Sequence, residues 1–338
     1  MSNAAQLLDM LREEGHVVGR NAEAQPMGGG VSSEIYLVKD GSTQFVVKSA
    51  LPKLKVADDW FADVSRNSTE QKFLEIVGGM LPGAVPKVYF SNAKRGYFGM
   101  EFIPETFANW KQLLMNEDCR LEHAVAAARI IGEIHRRTAG DDSLRQEFNT
   151  TACFHQLRIE PYLLTTGARH PELQKMFEAE ARRIEGTRQA LVHGDFSPKN
   201  ILIGSERTVL LDCEVAWYGE PLFDVAFLLN HFFLKALYHA PHSVNIEDMV
   251  RSFWREYLKT TWEESGRKLE EKLVPLLLML MLARMDGKSP VEYLSPAKQD
   301  FARRFVGKHL SSSPHTLDDL AEPWFAQIAK IEAFQGER

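Results

Sequence analysis

The stretch ALVHGDFSPKNILIG, residues 190–204, constrains what this chain can fold into more than any other. Apolar residues flank a turn that packs His193, Gly194, Asp195, Pro198, Lys199 and Asn200 into eight positions. "LVH" before the turn and "ILI" after it read as short buried strands, so the turn is pinned at both ends and rigid. A working carboxylate needs that rigidity, because a misplacement of ~1 Å costs ~100-fold in rate. A lone Asp in a loop is otherwise an ordinary turn former. Twelve residues after Asn200 comes Asp212, at the end of another apolar run, "VLL". Two strand-end acids and an amide, converging from adjacent loops, supply the hard oxygen ligands of a divalent metal.

The 338 residues are 44% hydrophobic and 25% charged, an ordinary globular composition long enough for two domains with a core in each. The net charge of −6 does not indicate a nucleic-acid surface, so an anionic or phosphorylated ligand must be held by local groups. Cys119, Cys153 and Cys213 are scattered, with neither disulfide nor metal-ligand spacing, which suits a reducing cytoplasm. The N-terminal segment carries acids and no long apolar core, so it does not read as a signal peptide. The greasiest run, LVPLLLMLMLA (273–283), contains Pro275 and is about half the length of a membrane span; it reads as a buried helix. No membrane or nucleic-acid partner is expected.

Residues 3–14 have helical spacing, and PMGGG (26–30) is a loop. SSEIYLVKDGSTQFVVKSAL (32–51) is a hairpin, with β-branched and aromatic runs on either side of Asp40-Gly41. A helix over 65–77 and strands within 86–103 complete a β-rich first part. After Pro104 the chain reads as helices over 121–138, 171–185, 223–238, 246–262 and 268–285. The layout is α+β, a small β-rich part (1–103) and a larger helical part (104–338), with a ligand-binding cleft expected between them.

H-G-D-x-x-x-x-N followed by an apolar strand ending in Asp resembles the catalytic and metal loops of the protein-kinase-like fold. Gly194 after His193 is similar to the aminoglycoside phosphotransferase, choline kinase and methylthioribose kinase branch. GGGVSSEIYLV lies where that fold keeps its phosphate loop, Lys48 ends the following strand, and Glu70 falls on the next helix. DCEVAWYGEPLFDVAFLLN resembles the segment after the metal Asp and includes Asp224. VVKSALPKLKVADDW resembles the Lys-containing strand and Ala-Leu-Pro of methylthioribose kinases. The matches run in order over residues 26–231.

The resemblance implies an enzyme that moves the γ-phosphoryl group of ATP, with Mg²⁺, to a hydroxyl of a small molecule. Asp195 would be the base, and Asn200 and Asp212 the metal ligands. Lys48, held by Glu70, would reach the phosphates. Gly28, Gly29 and Gly30 would open backbone N–H groups to phosphate, with hydroxyls from Ser32 and Ser33. Glu101, Phe102 and Ile103 would border the adenine. His193 and Asp224 would brace the loop, and Lys199 would offset phosphate charge or simply be solvated. A protein kinase carries Gly where Glu214 stands, and no long activation segment separates Asp212 from Asp224, so a peptide acceptor is disfavoured. Glu214 is expected beside Asp212 if the backbone stays extended, where it would ligate the metal indirectly or bind the acceptor substrate. Candidates for the acceptor pocket are Arg158, Glu160, Tyr162, Trp217, Tyr218, Asn230, His231, Arg284 and Asp286. Their mixed charge leans toward a sugar or polyol, with an aminoglycoside or amino alcohol as the alternative and a non-catalytic nucleotide-binding module as the non-enzyme reading. A monomer or homodimer is expected.

Overall fold

A computed structural model describes residues 3–28, 33–50, 65–242, 245–260, 266–312 and 316–330. The chain divides into two compact units, residues 1–107 with 209–214, and residues 108–208 with 215–338.

The first unit contains α1 (Asn3–Glu13), β1 (Glu23–Pro26), β2 (Ser33–Asp40), β3 (Thr43–Ala50), α2 (Ser65–Met80), β4 (Val88–Asn92) and β5 (Tyr97–Glu101). The strands form one antiparallel sheet in the order β1-β2-β3-β5-β4. The β2–β3 hairpin is as the sequence indicated. Asp40 pairs with Thr43, and Gly41 takes φ +61°, a backbone conformation that glycine adopts without a Cβ penalty. Alternation decides the faces. Tyr36, Val38, Phe45 and Val47 point to one side and pack with Leu7 and Leu11 of α1. Lys48, next to Val47, therefore points to the other face, where α2 contacts β3. β1 went unread because EAQP has no apolar alternation. It is an edge strand held by main-chain pairing to β2, a place where Pro26 is tolerated.

The second unit begins with β6 (Ala108–Asn109), α3 (Trp110–Met115), α4 (Leu121–Thr138), α5 (Asp142–Glu147) and α6 (Thr151–Phe154). A π-helical segment, His155–Leu164, then leads into α7 (Thr165–Arg169) and α8 (Gln174–Gly186). β7 (Ala190–Val192) and β8 (Ile201–Ile203) flank the quoted turn, as expected, with a short 3₁₀ turn over Pro198–Asn200. After β9 (Thr208–Leu210), of which residues 209–210 belong to the first unit, and β10 (Trp217–Gly219) come α9 (Leu222–His239), α10 (Ile246–Leu258), α11 (Gly266–Asp286), α12 (Pro296–Ser312) and α13 (Leu317–Ile328). α9 is buried on almost every face and packs against α10 and α11, which makes it the axis of this unit. The greasy run 273–283 lies inside α11 and is buried, as read; among the described residues no helix is long and apolar enough to cross a membrane. α12 and α13 were not foreseen, although Thr316 and Asp319 form the capping box that starts α13. The three cysteines are free.

Candidate active site

In the first unit the sheet and α2 assemble a buried ionic cluster. Lys48 Nζ lies 2.6 Å from Glu70 Oε2 and 3.0 Å from Asp212 Oδ1. Both Lys48 and Glu70 are almost fully buried. An edge-strand lysine with its ammonium in solvent is excluded, because β3 is an inner strand. Glu75, the other acid on α2, accepts a bond from Gln71 at the surface. Glu214 joins the cluster: one carboxylate oxygen from each of Glu70, Asp212 and Glu214 lies within 4.8 Å of the other two. The route is not the extended backbone expected, since Asp212 takes φ +60°, rare for a residue with a Cβ. Such conformations concentrate at functional positions. Arg66 on α2 reaches Glu214 at 3.3 Å, a contact that no pattern in the sequence announced.

Burial disfavours a charge on Lys48, but Glu70, then Asp212 and Glu214, outweigh it and hold the ammonium above its usual pKa. Burial pushes the Glu70 carboxyl up to about 7 against the pull of Lys48, with Asp212 and Glu214 adding repulsion. Three carboxylates around one lysine leave negative charge to spare, and their hard oxygens fit a small divalent cation.

In the second unit the quoted turn is held from several sides. Asp224, on the first turn of α9, accepts the His193 N–H (2.7 Å) through Oδ2 and the Gly194 N–H (2.9 Å) through Oδ1. His135 Nε2 lies 3.3 Å from Asp224 Oδ2, and its Nδ1 lies 3.0 Å from the Tyr257 hydroxyl. Gly194 takes φ +77°, and a Cβ there would stand 2.5 Å from the Val215 carbonyl oxygen, so only glycine fits. The His193 ring accepts the Asp195 N–H at 3.2 Å, a bracing role as expected. Asn200 donates to the Asp195 carbonyl at 3.0 Å, closing the loop on itself. The Asp195 carboxylate is nearly buried, with Arg158 at 3.2 Å and Lys199 at 3.0 Å. Arg158 comes from the π-helical segment and also donates to the Gly194 carbonyl. π-Helical turns recur at functional sites. Lys199 is therefore not a merely solvated lysine.

The remaining candidates separate. Tyr162 and Arg284 meet at 3.4 Å, and His231 lies nearby in α9 with its ring almost buried. Trp217 is corrected from pocket to core: it has no exposed surface and stacks on Phe154 at 4.1 Å. Tyr218 is likewise buried and donates to the Thr138 and Gln189 carbonyls. Asn230 donates through Nδ2 to the Phe227 carbonyl on its own helix at 2.5 Å, while its buried Oδ1 has no hydrogen-bond partner among the described residues. Glu160 pairs with Lys288, and Asp286 with His170 and Arg303. Glu101 ends β5, its N–H donating to the Lys87 carbonyl, and Ile103 follows in coil. A Cβ on Gly28 would meet nothing within 4 Å. Gly29, Gly30 and Ser32 lie outside the described residues, as does the side chain of Ser33.

A model of the phosphotransferase enzyme family matches residues 23–264. The chain belongs to that family. This phosphotransferase is similar to the methylthioribose kinase of Exiguobacterium sibiricum, 25% identical over 298 residues, covering 77% of this chain and 74% of that enzyme. It is also similar to methylthioribose kinase 1 of Oryza sativa subsp. japonica, 23% identical over 278 residues, covering 74% of this chain and 64% of that one. A solved amicoumacin kinase in complex with AMP-PNP and Ca²⁺ aligns with a TM-score of 0.52 at 13% identity, covering 93% of this chain and 96% of that one. That likeness shows the protein-kinase-like fold. The fold class read from the sequence stands, and by family this phosphotransferase is a small-molecule kinase.

Proposed function

We propose that this kinase transfers the γ-phosphoryl group of MgATP to a hydroxyl of a small polyhydroxylated molecule. The Lys48–Glu70–Asp212 cluster carries the reading, because a buried lysine held between two acids has no packing purpose that an apolar residue would not serve better. In the transfer, a bond forms between the acceptor oxygen and γ-phosphorus, and the bridging bond to the β-phosphate breaks. The hydroxyl proton passes to Asp195, and ADP leaves. The Asp224 and Asn200 hydrogen bonds hold Asp195 in place for that step.

Lys48 would contact the α- and β-phosphates, as the resemblance implied, and Gly28 would open the loop that covers them. Asp212, with Glu214 beside it and Asn200 by resemblance, would hold Mg²⁺; that ion neutralises phosphate charge when bound. Arg158 and Lys199, both within ion-pair distance of Asp195, fix the orientation of the carboxylate that would receive that proton. Its relatives' names favour a sugar acceptor.

The test is ADP release with MgATP across a panel of pentoses including methylthioribose, polyols, amino alcohols and aminoglycosides. Acceptor-dependent ADP formation that requires Asp195 supports the reading. Nucleotide binding without turnover on any acceptor would replace it with a non-catalytic binding module.

A further inference from the structure

α9 and α11 of the helical unit hold a group of cations that the phosphoryl-transfer chemistry does not use. His231 and Lys235 stand one turn apart on the same face of α9. Lys235 is 1% exposed, yet among the described residues it makes no ion pair; its Nζ lies over the Tyr293 ring, 5.1 Å from the centroid. Arg284 of α11 donates to the Ser289 hydroxyl (2.8 Å) and to the Tyr162 hydroxyl (3.4 Å), and it meets no carboxylate among the described residues. Three buried polar atoms here lack any hydrogen-bond partner: His231 Nδ1, Arg284 Nε and the Tyr293 hydroxyl. The nearby acid, Glu292, is already bound to Lys111 at 2.7 Å.

The residues of α9 that flank it, Phe232, Phe233, Leu234, Ala236 and Leu237, are apolar and buried, so methionine or leucine at position 235 would pack as well and cost nothing in desolvation. Buried donors left unsatisfied are expensive and uncommon in native proteins. Three such atoms beside the buried Lys235 ammonium, with a surplus of positive charge, describe a receptor for an anion.

We propose, building on the kinase reading above, that the acceptor is itself an anion, a hydroxylated carboxylate or phosphate monoester whose charged group is held by His231, Lys235, Arg284 and Tyr293. The electrostatics agree. Burial, then Lys111 and Arg284, pushes the Lys235 ammonium down to about 7, with Glu292 pulling the other way. Burial, then Lys235 and Arg284, holds His231 well below its usual range, with Lys199 and Lys111 adding to the repulsion. A bound anion reverses those repulsions and returns the proton to Lys235. The same cluster repels a polycation, which sets this kinase apart from an aminoglycoside acceptor.

Matched acceptor triplets test the proposal: glycerol, glycerate and glycerol phosphate; ribitol, ribonate and ribose phosphate. Binding without nucleotide is followed by calorimetry, and turnover with MgATP by ADP release. An anionic member of a triplet is expected to exceed its neutral counterpart by roughly tenfold or more in kcat/KM, the worth of one charged hydrogen bond. Whether carboxylate or phosphate wins names the source of the charge. At about pH 8, where free Lys235 is mostly the neutral amine, anion binding takes up a proton, and at about pH 6 it does not; comparison of buffers of different ionisation enthalpy reads this. Lys235→Met, close in volume, loses both the preference and the proton uptake, and Arg284→Gln weakens the preference. A preference for neutral or cationic acceptors overturns the proposal. So does anion binding that Lys235→Met leaves unchanged, or no binding by any anion of the panel. Proton-coupled anion binding with no ADP from any acceptor would keep the anion site and sink the kinase reading; ADP from neutral acceptors alone would do the opposite.

Discussion

Asp224→Asn is the most informative single change in the catalytic loop. Both carboxylate oxygens of Asp224 are engaged, Oδ1 by the Gly194 N–H and Oδ2 by the His193 N–H, with His135 Nε2 also at Oδ2. Asparagine has one oxygen, so either rotamer turns its NH₂ toward a backbone N–H. The variant thus loses one hydrogen bond to a charged acceptor, worth ~1.5–3 kcal/mol, and leaves a buried N–H without a partner, worth ~1–3 kcal/mol. Allowing for overlap between the two and for relaxation of the loop, we expect a loss of about 2–4 kcal/mol in unfolding free energy. The loop carries Asp195 one residue beyond Gly194, so kcat should fall by ~10- to 100-fold, as for a displacement of ~1 Å. The KM for ATP should change little, because Asp224 is not among the groups proposed for nucleotide. Urea denaturation and steady-state kinetics measure both. A variant within about 0.5 kcal/mol of wild type, with unchanged kcat, would show that the Asp224 bridge does not hold the loop.

Three further outcomes follow from the same geometry. Asp195→Asn should bind MgATP and lose ~10²–10⁴-fold in kcat, and retention of more than about a tenth of wild-type turnover would remove it as the base. Asp212→Ala should abolish Mg²⁺-dependent nucleotide binding by calorimetry, and an unchanged MgATP affinity would take Asp212 out of the metal site. Gly194→Ala forces a Cβ onto the Val215 carbonyl at positive φ, and should cost about 2 kcal/mol or more in denaturant unfolding; a neutral effect would show that the loop relaxes freely.

Much of this was legible in the sequence where the signal is local. The 190–204 turn announces itself because charged residues interrupt two apolar runs, and the 32–51 hairpin because period-two runs flank Asp-Gly. Lys48 and Glu70 were found as a pair only through the family likeness, since nothing in either segment states their contact. Arg158 reads from sequence as a pocket residue, but its reach to Asp195 depends on the π-helical segment, and Pro161 hides any helical period there. Asp212 lies two residues beyond the end of β9, and its positive φ was invisible, because no glycine or asparagine marks the position. Trp217 and Tyr218 misled because aromatic side chains look alike in core and pocket until packing is known. Lys235 was passed over since a lysine near the end of an apolar helix ordinarily carries its charge out to solvent. Only the packing of α9 inside the helical unit shows that this one does not.

That buried lysine predicts a cost, and the cost is measurable. An unfolded lysine titrates near 10.5, and Lys235 in the folded chain titrates at about 7 because burial, Lys111 and Arg284 all oppose its charge. Between these two values the unfolded chain holds a proton that the folded chain has released, so stability rises with pH across that window and is lowest below it. The full gap amounts to roughly 4–5 kcal/mol at 1.36 kcal/mol per pH unit, and local relaxation or water entry reduces it. Lys235→Met removes the titration and adds buried apolar surface. The ligand-free variant should therefore be more stable than wild type at neutral pH by about 2–4 kcal/mol, with the advantage shrinking as pH rises toward about 10. Urea unfolding of both proteins at a series of pH values gives the difference directly and cancels groups common to the two. A wild type more stable than the variant at neutral pH, or a difference that does not vary with pH, would mean that Lys235 keeps its proton in the fold. If the difference follows the expected course, the chain gives up stability at one position where methionine would serve packing better, a trade-off that recurs where activity and stability conflict.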